Sequence, residues 1–393
     1  MGKKVMSESG AIMEHEKPDI LVEGTYSESD LTSLKARPIW KFHDIYVPQL
    51  EELFEILHPE LINSSEYAEK LTSFISERSH PLVDLRGDYV YFSWSGLLLH
   101  MVSEEDMNTL RTNRTKNLIS KDEQHTMSQF TAGIAGLSFG NGIALSLVYN
   151  GASNCIKIAD RDIFATSNLN RVRVGLPSVD QPKTAVTAHE IYEINPHADI
   201  RIFNDGLTEE NLDDFVNGMT KLSIIFDVVD DFSMKVRLRL AAKKAKIPVI
   251  MLTSLEDSIL VDIERFDLDP EAEIFHGLLA DVTEELLTKK MSEQDKVKYA
   301  MAIVGLEHIS YRNLSSLSDI GTKLVSRPHL YGTVSIVCGL AAYILKRIAL
   351  GEDMPSLRKH LPFNEVLGIL PAKDDTPEAR AEIFAKLTKG PQR

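Results

Sequence analysis

The sequence predicts an α/β fold, in which a mostly parallel sheet carries helices on both faces. Short β-branched segments alternate with longer segments of helical period in the middle of the chain. Each parallel crossover needs a connecting element, usually a helix, so this alternation indicates a Rossmann-like sheet. The predicted strands are Ala132–Ala135, Cys155–Asp160, Asp199–Phe203, Ser223–Val229 and Pro248–Thr253, and the predicted helices are Asn141–Asn150, Lys183–Ile194, Glu209–Met219 and Met234–Ala245.

We place this central domain at residues 108–280, with a smaller α+β region at 1–107 and a largely helical region at 281–393. In the first region, Pro48–Leu57 has the apolar spacing of a helix. Asp88–Leu99 indicates one or two strands, broken at Ser95-Gly96. Residues 1–36 are polar and without a clear period, so we expect them to be loosely packed.

The bulk properties exclude several classes of protein. The 393 residues include 43 Lys and Arg against 58 Asp and Glu, a net charge of −15. This charge argues against general nucleic-acid binding, which depends on positive charge. The sequence has only two cysteines, Cys155 and Cys338, and both lie in apolar segments. Two cysteines are too few for a cysteine zinc cluster or a disulfide framework, and their small number favours a reducing cytoplasm. The charged N-terminus has no secretory apolar core.

One apolar stretch has to be weighed as a membrane segment. Leu330–Leu345 is uncharged and ends at Lys346 and Arg347. It is shorter than the ~20 residues that span a bilayer. We therefore expect a buried helix and no membrane association.

A glycine-rich turn follows the first central strand. Gly136, Ser138 and Gly140 lie in the segment that joins this strand to a helix. Such a turn lets backbone N–H groups approach phosphates at the helix N-terminus, although it can also serve only to pack a helix on a sheet. Asp160 ends the second strand, 24 residues after Gly136. An acidic residue at about this spacing accepts hydrogen bonds from ribose hydroxyls, so NAD binding is also open at this point.

An ordered series of polar motifs follows, from Asp160-Arg161-Asp162 onward. Its members are Ser167-Asn168-Leu169-Asn170-Arg171, Gln181-Pro182-Lys183, Ile194-Asn195-Pro196 and Phe226-Asp227-Val228-Val229-Asp230-Asp231. The series resembles the signature of the ThiF/MoeB/HesA superfamily, to which ubiquitin-activating enzymes belong, over about residues 111–255. These residue types suit ATP better than a dinucleotide, because a triphosphate requires several cations and a metal.

The resemblance implies roles for individual residues. The glycine turn with Ser138 would approach the phosphates, and Asp160 would bind the ribose. Asn168, Arg171 and Lys183 would bind phosphates, and Asp230 would hold Mg²⁺ as a hard oxygen ligand. The resemblance also implies a homodimer, in which Arg114, from the segment Leu110–Arg114, reaches the ATP of the partner subunit; the alternative is a solvated basic cluster.

Some features depart from the superfamily pattern. Ser138 replaces a glycine at the closest phosphate approach, Asp231 stands where Asn is usual, and Lys235 stands where Arg is common. No exposed cysteine is placed to accept an acyl group, because Cys338 lies in an apolar helix, where a core role is favoured.

A narrower resemblance, in Trp94-Ser95-Gly96, Asp262–Asp267 and His276–Leu279, is to ThiF-like segments fused to nitroreductase domains; we expect no flavin domain within this chain. His189 and His276 are expected to be structural, and Glu264, Arg265 and Asp267 to form a surface ion-pair cluster.

The sequence thus predicts an ATP-dependent adenylyltransferase that activates a carboxylate, either a ubiquitin-like tail or a small molecule, and releases pyrophosphate. The alternative is a nucleotide-binding regulatory or scaffold protein that has lost turnover. An NAD-dependent oxidoreductase rests only on the glycine turn and Asp160.

Overall fold

A computed structural model of the protein describes residues 17–79, 85–279, 283–288, 292–370 and 372–389. The chain divides into two compact units. The first contains the described residues up to Ser128, with Val148–Asn154 and Ala188–Asp199. The second contains Gln129–Leu147, Cys155–Thr187 and the described residues from Ile200 onward. The division of the chain at residues 107 and 280 stays a prediction.

The first unit is an α+β structure. Within its described residues, four strands form a sheet in the order β1-β3-β4-β2. The strands are β1 (Asp19–Leu21), β2 (Lys41–Asp44), β3 (Asp88–Phe92) and β4 (Leu97–Met101). The helices are α1 (Glu28–Lys35), α2 (Tyr46–Leu57), α3 (Tyr67–Ser79), α4 (Glu104–Thr112) and α5 (Lys121–Ser128).

The N-terminal predictions are partly right. β3 and β4 pair in antiparallel fashion and are broken at Ser95-Gly96, as the sequence indicated. Residues 17–36 were wrongly expected to be loosely packed. They form β1 and α1, because a capping box at Ser27 begins the helix and Leu31 and Leu34 are buried. Residues 1–16 lie outside the described part of the chain.

The second unit is built on a Rossmann-like sheet, which confirms the predicted fold class. Among the residues described, seven strands lie in the order β11-β10-β9-β8-β5-β6-β7. β5 pairs in parallel with β6 and β8, and β8 with β9. The strands are β5 (Thr131–Ala135), β6 (Cys155–Ala159), β7 (Asp199–Phe203), β8 (Ile224–Asp227), β9 (Val249–Ser254), β10 (Ser258–Glu264) and β11 (Leu357–Pro362).

The helices of the central region begin and end close to the predicted positions. They are α6 (Gly140–Tyr149), α7 (Lys183–Ile194), α8 (Leu212–Asn217) and α9 (Phe232–Ala245). The helical C-terminal region contains α10 (Thr283–Thr288), α11 (Glu293–Val304), α12 (Tyr311–Asp319), α13 (Tyr331–Ala349), α14 (Phe363–Leu367) and α15 (Pro377–Lys389).

The sequence did not predict β10 and β11. Both pair in antiparallel fashion at one edge of the sheet, with Ser258 opposite Pro362. Charged residues occur within each strand, and they obscured the apolar alternation on which strand prediction depends. In β10 the charged residues are buried and paired, which only the tertiary structure reveals.

The apolar stretch near residue 330 forms α13, as a buried helix. Val337, Ala341 and Leu345 are inaccessible to solvent and lie on one face. Within the described part of the chain, α13 is the one helix long and apolar enough to cross a membrane, but 56% of the window is buried inside the protein. The core helix of a globular protein has the same length and composition, so this finding is weak support for a membrane span.

Candidate functional site

The carboxyl ends of β5, β6 and β8 meet at one edge of the second unit's sheet. The backbone joins them, since Gly136 N–H donates to the Ala159 carbonyl and Val228 N–H to the Ala135 carbonyl, both at 2.8 Å. A cavity of about 320 Å³ opens here between the glycine turn, the end of β6 and the end of β8. Ligands of open α/β sheets bind at such strand ends. We call it the first cavity; its lining includes Gly136, Ser138, Asp160, Lys183 and Asp230.

Gly136 is the glycine that the turn requires. Its φ is +93°, and a Cβ built there would lie 2.5 Å from the carbonyl oxygen of Val228. Ser138 does not have a positive φ, so its backbone does not call for glycine. Gly140 begins α6, and a Cβ there would lie 3.0 Å from Ile134. The turn therefore tolerates serine at 138 but not a side chain at 136.

Asp160 and Lys183 form a buried pair at the wall of this cavity. The Asp160 carboxylate accepts hydrogen bonds from the Leu137 and Asp162 N–H groups, at 2.6 and 2.8 Å. Lys183 Nζ lies 3.5 Å from Asp160 and 3.0 Å from Asp162. An ammonium group has three donors, so two carboxylate partners leave Lys183 one N–H for a ligand. Asp160 also fixes the glycine turn through Leu137.

Asn168 and Arg171 lie in the loop after β6, but their side chains have different surroundings. Asn168 is buried, and its side-chain oxygen accepts a hydrogen bond from Ala165 N–H at 3.0 Å, which shapes the turn. Arg171 lines a neighbouring cavity of about 510 Å³, which we call the second cavity. Burial lowers the pKa of Arg171, and the charge of Asp230 opposes this shift. The two cavities share Ser138 and Val228–Asp230 as lining.

Arg327 and His329 are site residues that sequence reasoning missed. Both line the second cavity, just before α13. Arg327 Nη2 donates to the Ser254 carbonyl, and Asn170 donates to the His329 carbonyl at 3.0 Å. Burial, with the charges of Arg327 and Arg171, lowers the pKa of His329 to about 3, so its ring is neutral at pH 7. The sequence signal was a basic segment directly before a buried helix.

The two cavities differ in charge. Among the described residues that line it, the first cavity has six carboxylates against three basic groups: Asp160, Asp162, Asp205, Glu209, Asp230 and Asp231 against Arg161, Lys183 and Arg237. The second cavity is basic, with Arg171, Lys235, Lys296 and Arg327 against Asp227 and Asp230. The acidic cavity suits hydroxyl and amino groups, and the excess of positive charge lies in the second cavity.

Asp230 and Asp231 have different surroundings, although they are neighbours. Asp231 caps α9, because its carboxylate accepts a hydrogen bond from Met234 N–H at 2.8 Å. Asp230 is exposed and borders both cavities. Mg²⁺ is commonly held by one or two carboxylates together with substrate phosphates, and the Asp230 carboxylate fits that requirement. Among the described residues, no group of three or more acidic, histidine or cysteine side chains is arranged to hold a metal ion.

A buried network of ion pairs holds the carboxyl end of β8. Arg239 is completely buried, and it contacts Asp227 Oδ2 and Glu264 Oε2, each at 2.5 Å. Lys235 Nζ lies 3.0 Å from the other oxygen of Asp227. Burial acts to raise the pKa of Asp227, but Lys235 and Arg239 outweigh it and hold the pKa below its usual value. This network fixes the direction in which the chain leaves β8 toward Asp230.

The residues around 264 were wrongly expected at the surface. Glu264 and Arg265 are buried, and Arg265 makes two hydrogen bonds to the Asp267 carboxylate, at 2.9 and 2.7 Å. His276 contacts buried Asp262 at 3.1 Å, which raises the pKa of its imidazole. The burial of Glu264 was not visible in the sequence, because its partner Arg239 lies 25 residues away along the chain.

Three further predicted residues lie apart from the cavity lining. Arg114 is exposed in a short turn of the first unit, whereas Arg111 donates to the Val148 carbonyl at 2.7 Å. His189 stacks on Trp94, with ring centroids 4.0 Å apart, as expected of a structural histidine. Cys338 is buried, and burial raises the pKa of its thiol to about 12. The expectation of a core cysteine at 338 is confirmed.

Comparison with known proteins identifies the family. The model of the ThiF family matches residues 111–364, which is more than half of the chain. This chain belongs to the ThiF family. The uncharacterized protein MT1398 of Mycobacterium tuberculosis (strain CDC 1551 / Oshkosh) is 32% identical over 279 residues, which cover 71% of this chain. The match covers only 38% of the length of MT1398.

The solved structures that resemble this ThiF-family chain have lower sequence identity to it. PaaA is 17% identical, with a TM-score of 0.46, over 78% of this chain and 95% of that one. The tRNA N6-threonylcarbamoyladenosine dehydratase TcdA of E. coli, in complex with ATP, is 17% identical, with a TM-score of 0.43, over 61% of this chain and 94% of that one. The narrower resemblance to segments fused to nitroreductase domains stays a prediction.

Proposed function

We propose that this ThiF-family chain is an ATP-dependent adenylyltransferase that activates a carboxylate. The observation that supports this most directly is the meeting of an acidic and a basic cavity at Ser138 and Asp230. Nucleoside hydroxyls suit the acidic side, where Asp160 lies. Phosphate charge suits the border, because Lys183 in the first cavity and Arg171 in the second supply one cation on each side of it.

The proposed reaction needs little covalent chemistry from the protein. An oxygen of the substrate carboxylate attacks the α-phosphorus of ATP, and the bond from that phosphorus to the β-phosphate bridging oxygen breaks. The products are an acyl-adenylate and pyrophosphate, and no proton is transferred. The side chains hold the reactants in line and offset phosphate charge. Bound through Asp230 and the phosphates, Mg²⁺ would supply additional charge neutralisation.

Buried Cys338 supports the view that the reaction stops at the adenylate. A thiol with a pKa of about 12 contains almost no thiolate at pH 7, and the thiolate is the nucleophile. We propose that the activated acyl group passes to an acceptor outside this chain. Cys155 and Cys338 form no disulfide, which also suits a reducing compartment such as the cytoplasm.

Arg114 remains our candidate for a residue that acts in the partner subunit of a homodimer. Arg111 is committed to a backbone carbonyl of its own subunit, whereas Arg114 is exposed. The Arg114→Ala variant should lower turnover and leave the dimer intact in analytical ultracentrifugation. A monomeric wild-type protein with full activity would remove this proposal.

Pyrophosphate–ATP exchange tests the function, with candidate small carboxylates and ubiquitin-like tails as substrates. Asp230→Asn should reduce exchange about a hundredfold or more, because the metal ligand is weakened at the reacting phosphates. Asp231→Asn is the matched control, since Asn caps a helix as well as Asp and exchange should persist. Equal losses in the two variants, or ATP binding without exchange for any carboxylate, would contradict the proposal.

A nucleotide-binding regulatory protein without turnover is the second candidate. The excess of carboxylates in the first cavity favours it, because a nucleoside or monophosphate meets less repulsion there than a triphosphate. Calorimetric titration with ATP, ADP and AMP distinguishes the two functions. A sensor should bind AMP at least as tightly as Mg·ATP and leave ATP intact.

A further inference from the structure

The second cavity has an apolar floor that the adenylation residues do not explain. Helices α11 and α12 and the segments beside them form this floor. Its apolar lining includes Val297, Met301, Val304, Ile309 and Leu317, which pack in one hydrophobic cluster. Phosphate groups gain nothing from such a surface, whereas an apolar group gains free energy by leaving water.

The lining of the same cavity includes buried polar side-chain atoms that lack a hydrogen-bond partner. The Nε atoms of Arg171 and Arg327 are buried and have no hydrogen-bond partner among the described residues, and the same holds for Nδ1 of His329. A buried donor without a partner is costly, so such groups usually mark a place for a ligand, a water or an ion. A carboxylate offers two acceptor oxygens and is a preferred partner of arginine.

Size and polarity together restrict the occupant. The volume of about 510 Å³ lies within the range of small-molecule sites, which is about 300–1,000 Å³. Arg171 and Arg327 line the second cavity, Ser138 and Asp230 border the first cavity, and apolar side chains of α11 and α12 line another part of the second cavity. A carboxylate group held by these arginines would therefore leave an apolar body to pack against α11 and α12.

We propose that the second cavity binds the acyl substrate, and that this substrate is a small carboxylic acid with an apolar body, anchored by Arg327. That the bound acid is a substrate rests on the proposed adenylation, but the binding of the acid does not require ATP. It departs from a ubiquitin-like tail, whose backbone would leave many polar groups unpaired against this floor.

Calorimetric titration of the full chain with octanoate, without nucleotide, tests the proposal directly. Wild-type protein should bind octanoate at least about tenfold more tightly than acetate, because only octanoate buries an apolar body. Equal affinity for the two acids, or no binding of octanoate, would overturn the proposal. ATP binding, titrated separately, shows whether the first cavity is intact.

Two pairs of variants locate the site. Arg327→Gln should weaken octanoate binding about tenfold or more, whereas Arg312→Gln, at an exposed arginine of α12 outside the cavity, should not. Leu317→Trp should fill the floor and shift preference to shorter acids, and Leu240→Trp, at an exposed position of α9, should leave it unchanged. Should Leu317→Trp fail to fold, Leu317→Ala enlarges the floor and should favour decanoate over octanoate.

Pyrophosphate competition separates this site from a phosphate site. If pyrophosphate displaces octanoate and Arg327→Gln weakens ATP binding as much as octanoate binding, the cavity holds the phosphates and the proposal fails. If octanoate binds as expected and no exchange occurs, adenylation fails while the binding site stands. If a Gly-Gly peptide binds more tightly than octanoate, the cavity accepts a peptide tail, and the proposal of a small acid with an apolar body is overturned.

Discussion

Replacing Arg239 with Met should destabilise the second unit strongly. Arg239 is completely buried, lies 2.5 Å from both Asp227 and Glu264, and stacks 3.8 Å from the ring centroid of Phe275. Its removal leaves two buried carboxylates, of which Asp227 keeps Lys235. Removing one member of a buried ion pair costs about 3–5 kcal/mol, so we expect that loss in the free energy of unfolding.

The loss should depend on pH in a definite direction. In the wild type, the lowered pKa of Asp227 makes a stabilising contribution that is present above the unfolded pKa and is lost as pH falls through the folded pKa. In Arg239→Met, the buried carboxylates can relieve their charge by taking up protons. The deficit relative to wild type should therefore be smaller at pH 5 than at pH 7.

Urea unfolding followed by far-UV circular dichroism measures this loss. The control is Arg237→Met, two residues away on α9, whose ion-pair partner Glu209 is 63% exposed, so that the pair should contribute at most about 1 kcal/mol. Combining Arg239→Met with Asp227→Asn and Glu264→Gln should recover part of the loss, because the uncompensated charges are gone. If Arg239→Met costs no more than Arg237→Met, the network does not stabilise the fold as described.

Three further changes test other parts of the structure. Gly136→Ala should lower the free energy of unfolding, measured by thermal unfolding, by about 2–4 kcal/mol, because φ is +93° and the Val228 backbone blocks the Cβ. The control Gly351→Ala, at φ +65° in open space, should lower it by only about 1–2 kcal/mol. Equal losses in the two variants would contradict the account of the turn. His189→Phe should reduce by about 1–2 kcal/mol the loss in free energy of unfolding between pH 7 and pH 5. Burial lowers the pKa of His189 to about 4, so in this pH range only the unfolded state takes up the proton. An unchanged dependence of the free energy of unfolding on pH would refute this. Cys338→Ala should retain pyrophosphate–ATP exchange within about twofold, and intact-protein mass spectrometry should show no thioester in either the wild type or the variant. An acyl-enzyme adduct that is present in the wild type and absent from Cys338→Ala would show that the buried thiol reacts.

The sequence predicted the central fold well for a local reason. Parallel strands buried on both faces are short apolar segments, and the amphipathic helices between them have a different period, so the two alternate visibly. The bounds of α7 and β7 were predicted residue for residue. The edge strand β11 was not, because its charged side chains and Pro362 resemble a loop until β10 is present to pair with it.

The candidate site was only half visible in the sequence. Gly136, Asp160 and Asp230 follow β5, β6 and β8, and the topology of a parallel sheet brings such positions to one edge, where Lys183 at the start of α7 joins them. The roles proposed for them remain predictions. Arg327 could not be placed, because no local pattern reveals that a residue before α13 lies at the same cavity as Arg171.

What the sequence determined by itself was therefore periodicity: which segments are strands, which are helices, and which polar residues follow the strand ends. Only the tertiary structure decided which charges are buried. Arg239 and Glu264 look solvated in sequence, and they can be buried only because they pair with each other across 25 residues of chain, which offsets the cost of removing their charges from water. That compensation depends on three-dimensional contacts, which a linear pattern does not contain.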